Sequence, residues 1–487
     1  MTKNRFWEFK NYINGQWIDS FGKETMNNYC PGDGELVSTV AKSGEEDVNQ
    51  AVKYAKEALE QSDWSYDPRL RSDALNEWAR VIKENHEEAS AILSLESGKP
   101  ISEARMEVSN AINYLKYNAG AIKTLYGRSN SIDRNTLSIM SREPVGVVGA
   151  ILPWNYPVTL FMRDAIPALA AGNTLVFKPA SQTSASNMVL IKYLHETELM
   201  PKGVINGITG QGRVIGDRLI NHPDIDMITF TGSSETGKNI MKVCADTMKK
   251  VSLELGGKSP NIVFADADID KAIPYIIKAA FSNAGQLCTL GSRLILENSI
   301  AEMFLDRLVK EVESLKIGHG IEEDTQLGPV ISEKQMNKIM GYIEEGKEDS
   351  WLLTGGFRLN VGDYAKGYFI APTLLLNPPI KSKVVQEEIF GPVLAIQTFD
   401  TEEEAIELAN CTDFGLASGV WTQDISKAMR VSRKIKAGTC WINCYNKLFP
   451  EAETGGFKSS GIGRAAGLEG ILKYTEIKHI CIDYLQG

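Results

Sequence analysis

The chain has 487 residues, 43% of them hydrophobic and 23% charged, which is ordinary for a soluble globular protein. Its 52 Lys and Arg stand against 62 Asp and Glu, a net charge of −10. That balance excludes a generic nucleic-acid or anionic-membrane binder, although it leaves room for a local basic pocket. The length is that of about three structural units.

Residues 1–15 lack the apolar stretch of a secretory signal, and the most apolar segment, 145–157, is too short to span a bilayer and contains two prolines. The seven cysteines (Cys30, Cys244, Cys288, Cys411, Cys440, Cys444 and Cys481) are odd in number and thinly spread. They fit reduced thiols in a cytoplasmic protein better than a disulfide framework. No C-x-x-C occurs and the five histidines are scattered singly, so no metal site is expected.

Taken in order, the first 125 residues or so read mainly as helix. Ser43-Gly-Glu-Glu46 has the form of a capping box, followed by Val48, Ala51, Val52, Ala55, Ala58 and Leu59 at helical spacing. From Pro144 short β-rich runs alternate with helical stretches: 145–152, 174–177, 204–209, 227–230 and 251–253. This alternation predicts an α/β fold with a parallel sheet whose ligands bind at the C-terminal strand ends. Those ends carry Trp154-Asn155, Lys178-Pro179, Gly210, Thr231-Gly232-Ser233 and Glu254-Leu255-Gly256-Gly257. A second α/β pattern runs from about Lys258 to Cys444, with a helix over 267–284, a strand over 293–296 and further strands near Leu352 and over 394–398.

No G-x-G-x-x-G is present; Gly210-Gln-Gly212 and Gly461-Ile-Gly463 are followed by spacings one residue too long. The segment Phe230-Thr-Gly-Ser-Ser-Glu-Thr-Gly237 is more informative. It follows a strand and opens a helix, where backbone amides and the helix dipole can hold a pyrophosphate. Three further residues suggest chemistry: Cys288 in a glycine-containing turn, Glu254 at a strand end and Asn155 in Pro153-Trp-Asn-Tyr-Pro157. Singly they read as a buried thiol, a surface carboxylate and a helix cap.

Together these segments, with Lys178-Pro179, Glu388-Ile-Phe-Gly-Pro-Val393 and Gly455–Arg464, resemble the NAD(P)-dependent aldehyde dehydrogenase superfamily in order and spacing. The resemblance runs from Tyr12-Ile-Asn-Gly-Gln-Trp17 to Lys473-Tyr-Thr-Glu-Ile-Lys478. It implies a Rossmann-like cofactor domain (1–122 with 145–256), an α/β catalytic domain (257–455) and a small β oligomerisation element (123–144 with 470–487). It also implies a homodimer or homotetramer, built through segments matching 134–143 and 476–485.

The implied chemistry is oxidation of an aldehyde to its carboxylic acid. Cys288 attacks as thiolate, and Asn155 with the Cys288 backbone N–H stabilises the oxyanion. Glu254 then activates water to hydrolyse the thioester; relatives that pass the acyl group to coenzyme A lack this glutamate. The cofactor contacts implied are Trp154, Lys178, Ser181, Gly212, Arg213, Thr231, Gly232, Ser233, Leu255, Glu388 and Phe390. NAD-preferring members carry a glutamate where Ser181 stands, so serine beside Lys178, with Arg213 nearby, predicts that NADP is accepted and preferred, with NAD as the alternative.

For the substrate, Tyr156, Thr159, Arg163, Thr289 and Thr454 are the expected contacts. Arg163 resembles the arginine of succinate-semialdehyde and lactaldehyde dehydrogenases, so the leading expectation is a small polar or carboxylate-bearing aldehyde such as succinate semialdehyde. Lactaldehyde or glycolaldehyde is an alternative. Tyr156, with Glu451 or Glu453, keeps a betaine- or aminoaldehyde reading open. The family's Pro-aromatic pair is Glu453-Thr454 here, and its following glutamate is Ala465. A Cys288-dependent acyl hydrolase would need a histidine base that no shared motif supplies, and an inactive scaffold would not need Asn155, Glu254 and Cys288 together.

Overall fold

The structure, a computed structural model, describes residues 6–484. An eight-stranded sheet has the spatial order Gly461–Ile462, Lys250–Glu254, Met227–Thr231, Val147–Ile151, Thr174–Lys178, Ile205–Gly207, Asn11–Ile13 and Gln16–Ile18. The five strands from Val147 to Glu254 are parallel, and the three flanking strands are antiparallel to their neighbours. Each parallel strand is buried on both faces, which is why it shows in the sequence as a short apolar run. Val148, Ala150, Leu175 and Phe177 enter one core, whereas Val147, Val176, Ile228, Phe230 and Leu253 enter the core on the other face.

The chain winds outward from Val147–Ile151 through Thr174–Lys178 to Ile205–Gly207, then resumes on the other side with Met227–Thr231. The strand Val147–Ile151 is therefore the switch point, and the residues that follow it, through Asn155, lie at the crevice such a reversal creates. The chain passes into a second sheet between Glu254 and Pro260. Its order is Trp351–Thr354, Thr373–Leu376, Val393–Phe399, Arg293–Glu297, Pro260–Val263, Ala417–Trp421 and Thr439–Ile442, parallel except at the first pair. The strand Gly461–Ile462 then returns to the first sheet beside Lys250–Glu254.

The segments expected at an assembly surface pair with each other: Thr475–Asp483 runs antiparallel to Thr136–Pro144, which pairs with Arg128–Ser131. Leu485, the end of the expected C-terminal segment, lies outside the described residues. No helix among the described residues is long and apolar enough to cross a membrane.

Three expectations need correction. Residues 7–41 are not helical but form five short strands. They are three to six residues long, too short for a clear period, and part of the pairing is remote: Asn11–Ile13 reaches Ile205–Gly207 and Trp7–Phe9 pairs with Leu36–Ala41. The helix start is Gly44, whose N–H donates to Asp47 Oδ2, while the Ser43 hydroxyl donates to Asn11 instead of capping. The helix expected over 267–284 is Ile269–Phe281, because Asn283 and Ala284 adopt φ of 50° and 53°.

Candidate active site

Cys288 is reached through an unusual turn. After the helix Ile269–Phe281, Asn283, Ala284 and Gly285 are all left-handed, and a Cβ on Gly285 (φ 73°) would lie 2.0 Å from the Gly391 carbonyl oxygen. The reversal brings Cys288 to the wall of a cavity of about 520 Å³. Gly257 meets it from the first sheet, where a Cβ would stand 2.5 Å from the Cys288 carbonyl oxygen. Burial pushes the Cys288 thiol up to about 12, opposed by the Arg163 guanidinium.

Asn155, 4% exposed, sits against the same turn. Its Nδ2 donates to the Gln286 carbonyl at 3.0 Å, and its own backbone carbonyl accepts from Lys99 Nζ at 2.8 Å and Asn283 Nδ2 at 3.0 Å. Lys99 also pairs with Glu107, both side chains fully buried. Glu107 Oε1 in turn accepts from the amides of Val158 and Thr159, holding the first turn of the helix beyond Asn155. Sequence reasoning missed this Lys99–Glu107 pair: nothing in Gly98-Lys99-Pro100 signals a buried ion pair.

Glu254 ends the strand Lys250–Glu254 and is 5% exposed, with Oε1 buried and unpaired. Burial pushes its carboxyl up to about 7, with Arg163 pulling it down and Asp164 raising it. A carboxylate poised near neutrality in a closed site is suited to general-base work.

The remaining expected residues fall into two groups. Tyr156, Thr159, Arg163 and Thr289 line the cavity with Cys288. Thr454 does not; it bridges Ala465 in a short antiparallel pairing. The segment that does close the cavity is Tyr445 to Pro450, with Glu103 and Tyr114 opposite, and none of these was singled out in the sequence. Nor is the Arg163 guanidinium open to a substrate carboxylate as expected. Its Nε and Nη2 grip Asp164 at 2.6 and 3.0 Å, so the adjacent acid takes the fork that an ω-carboxylate would need. Tyr156 lies with Lys99 Nζ 3.9 Å from its ring centroid, so an internal cation already uses its π system.

The cofactor candidates gather at strand ends of the first sheet. Lys178, 3% exposed, donates to the Pro179 carbonyl, and burial pulls its ammonium down to about 8. Ser181 Oγ donates to the Gly210 carbonyl, while Gly212 and Arg213 form the exposed first turn of a helix beside Lys178. Thr231 donates to Asp164, Gly232 N–H donates to the Glu254 carbonyl, and Ser233 caps the helix Ser234–Ala245. Leu255 packs on Gly237.

From the second sheet's side, Glu388 Oε1 accepts from Gly257 N–H at 3.1 Å, and burial pushes this carboxyl up to about 7. Phe390, at φ 61°, meets Trp154 edge-to-face at 5.2 Å. A helix N-terminus, a buried lysine and a carboxylate in one crevice fit the diphosphate and ribose of a dinucleotide.

The chain matches the family described as Aldehyde dehydrogenase family over residues 17–480. It is 40% identical over 473 residues to a betaine aldehyde dehydrogenase of Bacillus subtilis, covering 96% of each chain. Among solved structures, betaine aldehyde dehydrogenase from Staphylococcus aureus in complex with NAD+ superposes with a TM-score of 0.96 at 39% identity, covering 98% of this chain and 95% of that one. An NAD-dependent aldehyde dehydrogenase from Sinorhizobium meliloti gives 0.96 at 36% identity, covering 99% and 95%.

Lys99→Met leaves Glu107 as an uncompensated buried charge and leaves the Asn155 carbonyl held by Asn283 Nδ2 alone. The expected cost is about 3–5 kcal/mol of stability, read from denaturant unfolding, together with a slower acylation burst. An unfolding midpoint equal to the wild type would refute the structural weight given to this pair.

Proposed function

The chain belongs to the aldehyde dehydrogenase family and is an NAD(P)-dependent aldehyde dehydrogenase, and from that premise we propose that it acts on a small cationic aldehyde of the betaine or aminoaldehyde kind through a Cys288 thioester. The observation that carries the chemistry is the meeting of Cys288, Asn155 and Glu254 where the two sheets touch. Cys288 Sγ bonds the aldehyde carbon. One N–H of the Asn155 amide is spent on Gln286, and its second is free by valence to meet the oxyanion with the Cys288 backbone N–H. Hydride acceptance is the chemistry that a bound nicotinamide supplies. With the acyl group held on sulfur, Glu254 as anion takes a proton from water, which attacks the thioester and releases the acid and the thiol.

Trp154, Lys178, Ser181, Gly212, Arg213, Thr231, Gly232, Ser233, Leu255, Glu388 and Phe390 are the residues assigned to hold the dinucleotide. The finer reading is NADP in preference to NAD. Ser181 puts no carboxylate at the adenine-ribose end, and Lys178 with the exposed Arg213 supplies positive charge for a 2′-phosphate.

The observation that carries the substrate class is Glu103. It lines the cavity, accepts from the Asn283 backbone N–H at 3.0–3.2 Å and from the Tyr156 hydroxyl, and burial pushes its carboxyl up with Lys99 opposing. The other charges are spent or peripheral: Arg163 is paired with Asp164, Glu107 with Lys99, and Lys278 and Lys447 are exposed. Tyr114, Tyr275, Tyr445 and Phe449 line the same space, and aromatic faces beside a carboxylate suit an ammonium head. This reading supplants succinate semialdehyde, which the comparisons also do not support. The exposed edge strand Thr475–Asp483 is the surface where a second copy would join a homo-oligomer.

Cys288→Ala is expected to abolish turnover. Glu254→Gln is expected to keep a burst of reduced nicotinamide and lose steady turnover, and in the wild type deacylation falls as pH drops below about 7, because the base must be anionic. Stopped-flow absorbance at 340 nm checks both; steady turnover at the wild-type rate in either variant would sink these roles. Glu103→Gln should raise KM for betaine aldehyde roughly tenfold while leaving KM for a neutral aldehyde of similar size unchanged. Ser181→Glu should cut kcat/KM for NADP at least about tenfold through repulsion of the 2′-phosphate and spare NAD. A wild-type kcat/KM higher with NAD than with NADP would overturn the preference.

A further inference from the structure

We propose that Lys473 is a positioning residue for Glu254, setting a positive charge one pleat along the same strand face so that the carboxylate stays anionic in a closed site. The proposal rests on the reading of Glu254 as the deacylating base. In the strand Lys250–Glu254, Leu253 enters the core on one side. Ser252 and Glu254, two residues apart, therefore share the opposite face. Register places Thr229 beside Ser252 and Thr231 beside Glu254, so all four side chains face the same way.

Two segments pack against that polar face. One is Phe161–Ala165, from which Asp164 Oδ2 accepts from Thr231 Oγ1 at 2.7 Å while Asp164 also holds Arg163. The other is the chain just beyond the helix Gly467–Leu472, where Lys473 Nζ donates to Ser252 Oγ at 2.9 Å. The neighbouring Tyr474 hydroxyl donates to the Asp164 carbonyl and ties the two segments together.

The charged and titratable groups facing Glu254 are thus Arg163 and Asp164 from one segment, Lys473 and Tyr474 from another, Arg464 from the glycine-rich segment, and Cys288 across the site. Arg163 and Asp164 neutralise each other through two hydrogen bonds. Arg464 Nη1 is directed to the Gly463 carbonyl at 2.6 Å. Lys473 likewise donates to a neutral group, the Ser252 hydroxyl, so neither cation is cancelled by a bonded acid, and Lys473 is the one seated by that bond on the strand face that carries Glu254. Burial pulls its own ammonium down, with Asp164 and Glu254 holding it up. The Glu254 oxygen without a hydrogen-bond partner makes the carboxylate dependent on such through-space charge.

The test follows acyl-enzyme decay after a single-turnover burst, as a function of pH, in the wild type and in Lys473→Met, Lys473→Arg and Ser252→Ala. Removing the cation raises the Glu254 pKa, so the acidic limb of the decay rate is expected to move to higher pH by about one unit in Lys473→Met. Lys473→Arg should return it close to the wild-type position. Ser252→Ala, which only loosens the ammonium, should move it the same way by less, and it serves alone if Lys473→Met does not fold. An unmoved limb in the folded variants, with Glu254→Gln still blocked in decay, overturns the role of Lys473. Undisturbed decay in Glu254→Gln overturns instead the reading of Glu254 on which it rests.

Discussion

The turn that carries Cys288 is packed backbone to backbone against its surroundings. At Gly257 a side chain would strike the Cys288 carbonyl, and at Gly285 one would strike the Gly391 carbonyl, at 2.5 and 2.0 Å. Contacts this close leave no space for even a methyl group, and they seat the cysteine turn of one sheet on the strand end of the other. Glu254 stands three residues before Gly257, and Glu388 accepts the Gly257 amide. A thiol, a base and a candidate ribose ligand from separate parts of the chain are thereby held around one point.

That closeness removes water, and the site's charges respond to it. Burial pushes Glu254 and Glu388 up to about 7 and pulls Lys178 down to about 8. Other buried charged side chains are paired, Lys99 with Glu107 and Arg163 with Asp164. The rule is general: a buried ion is matched, or its protonation equilibrium moves. The Lys99–Glu107 pair holds the backbone around Asn155, while Arg163, paired with Asp164, lines the cavity.

Legibility followed burial and locality. The parallel strands showed as apolar runs because both faces of each are covered, and the helix after Ser233 showed as the element that the segment Phe230–Gly237 opens. The strands between Trp7 and Ala41 did not, since their pairing is set partly by distant partners and their lengths fall below any measurable period. Asn283 and Ala284 gave no warning of left-handed backbone, because nothing in the two residue types demands it. Thr454 was expected in the cavity because it stands in the place of the family's Pro-aromatic pair. The chain instead spends it on a bridge to Ala465, and the wall is built by Tyr445, Leu448 and Phe449.

Arg163 shows where sequence reading ends. Its position one turn past Thr159 placed it correctly at the cavity, but whether its guanidinium met a substrate or Asp164 depended on side-chain direction, which one-dimensional spacing does not carry. By itself the sequence determined the α/β architecture and the family, and it singled out Cys288, Glu254 and Asn155 as candidates, because each sits in a local motif whose residues are contiguous. Only the tertiary structure decided that Lys99 and Glu107 brace Asn155, that Glu103 faces the cavity while Arg163 is consumed, and that Lys473 lies on the face of Glu254. Those relations join residues up to more than two hundred positions apart, and electrostatic fate is settled by which charges the fold brings within a few ångströms of each other.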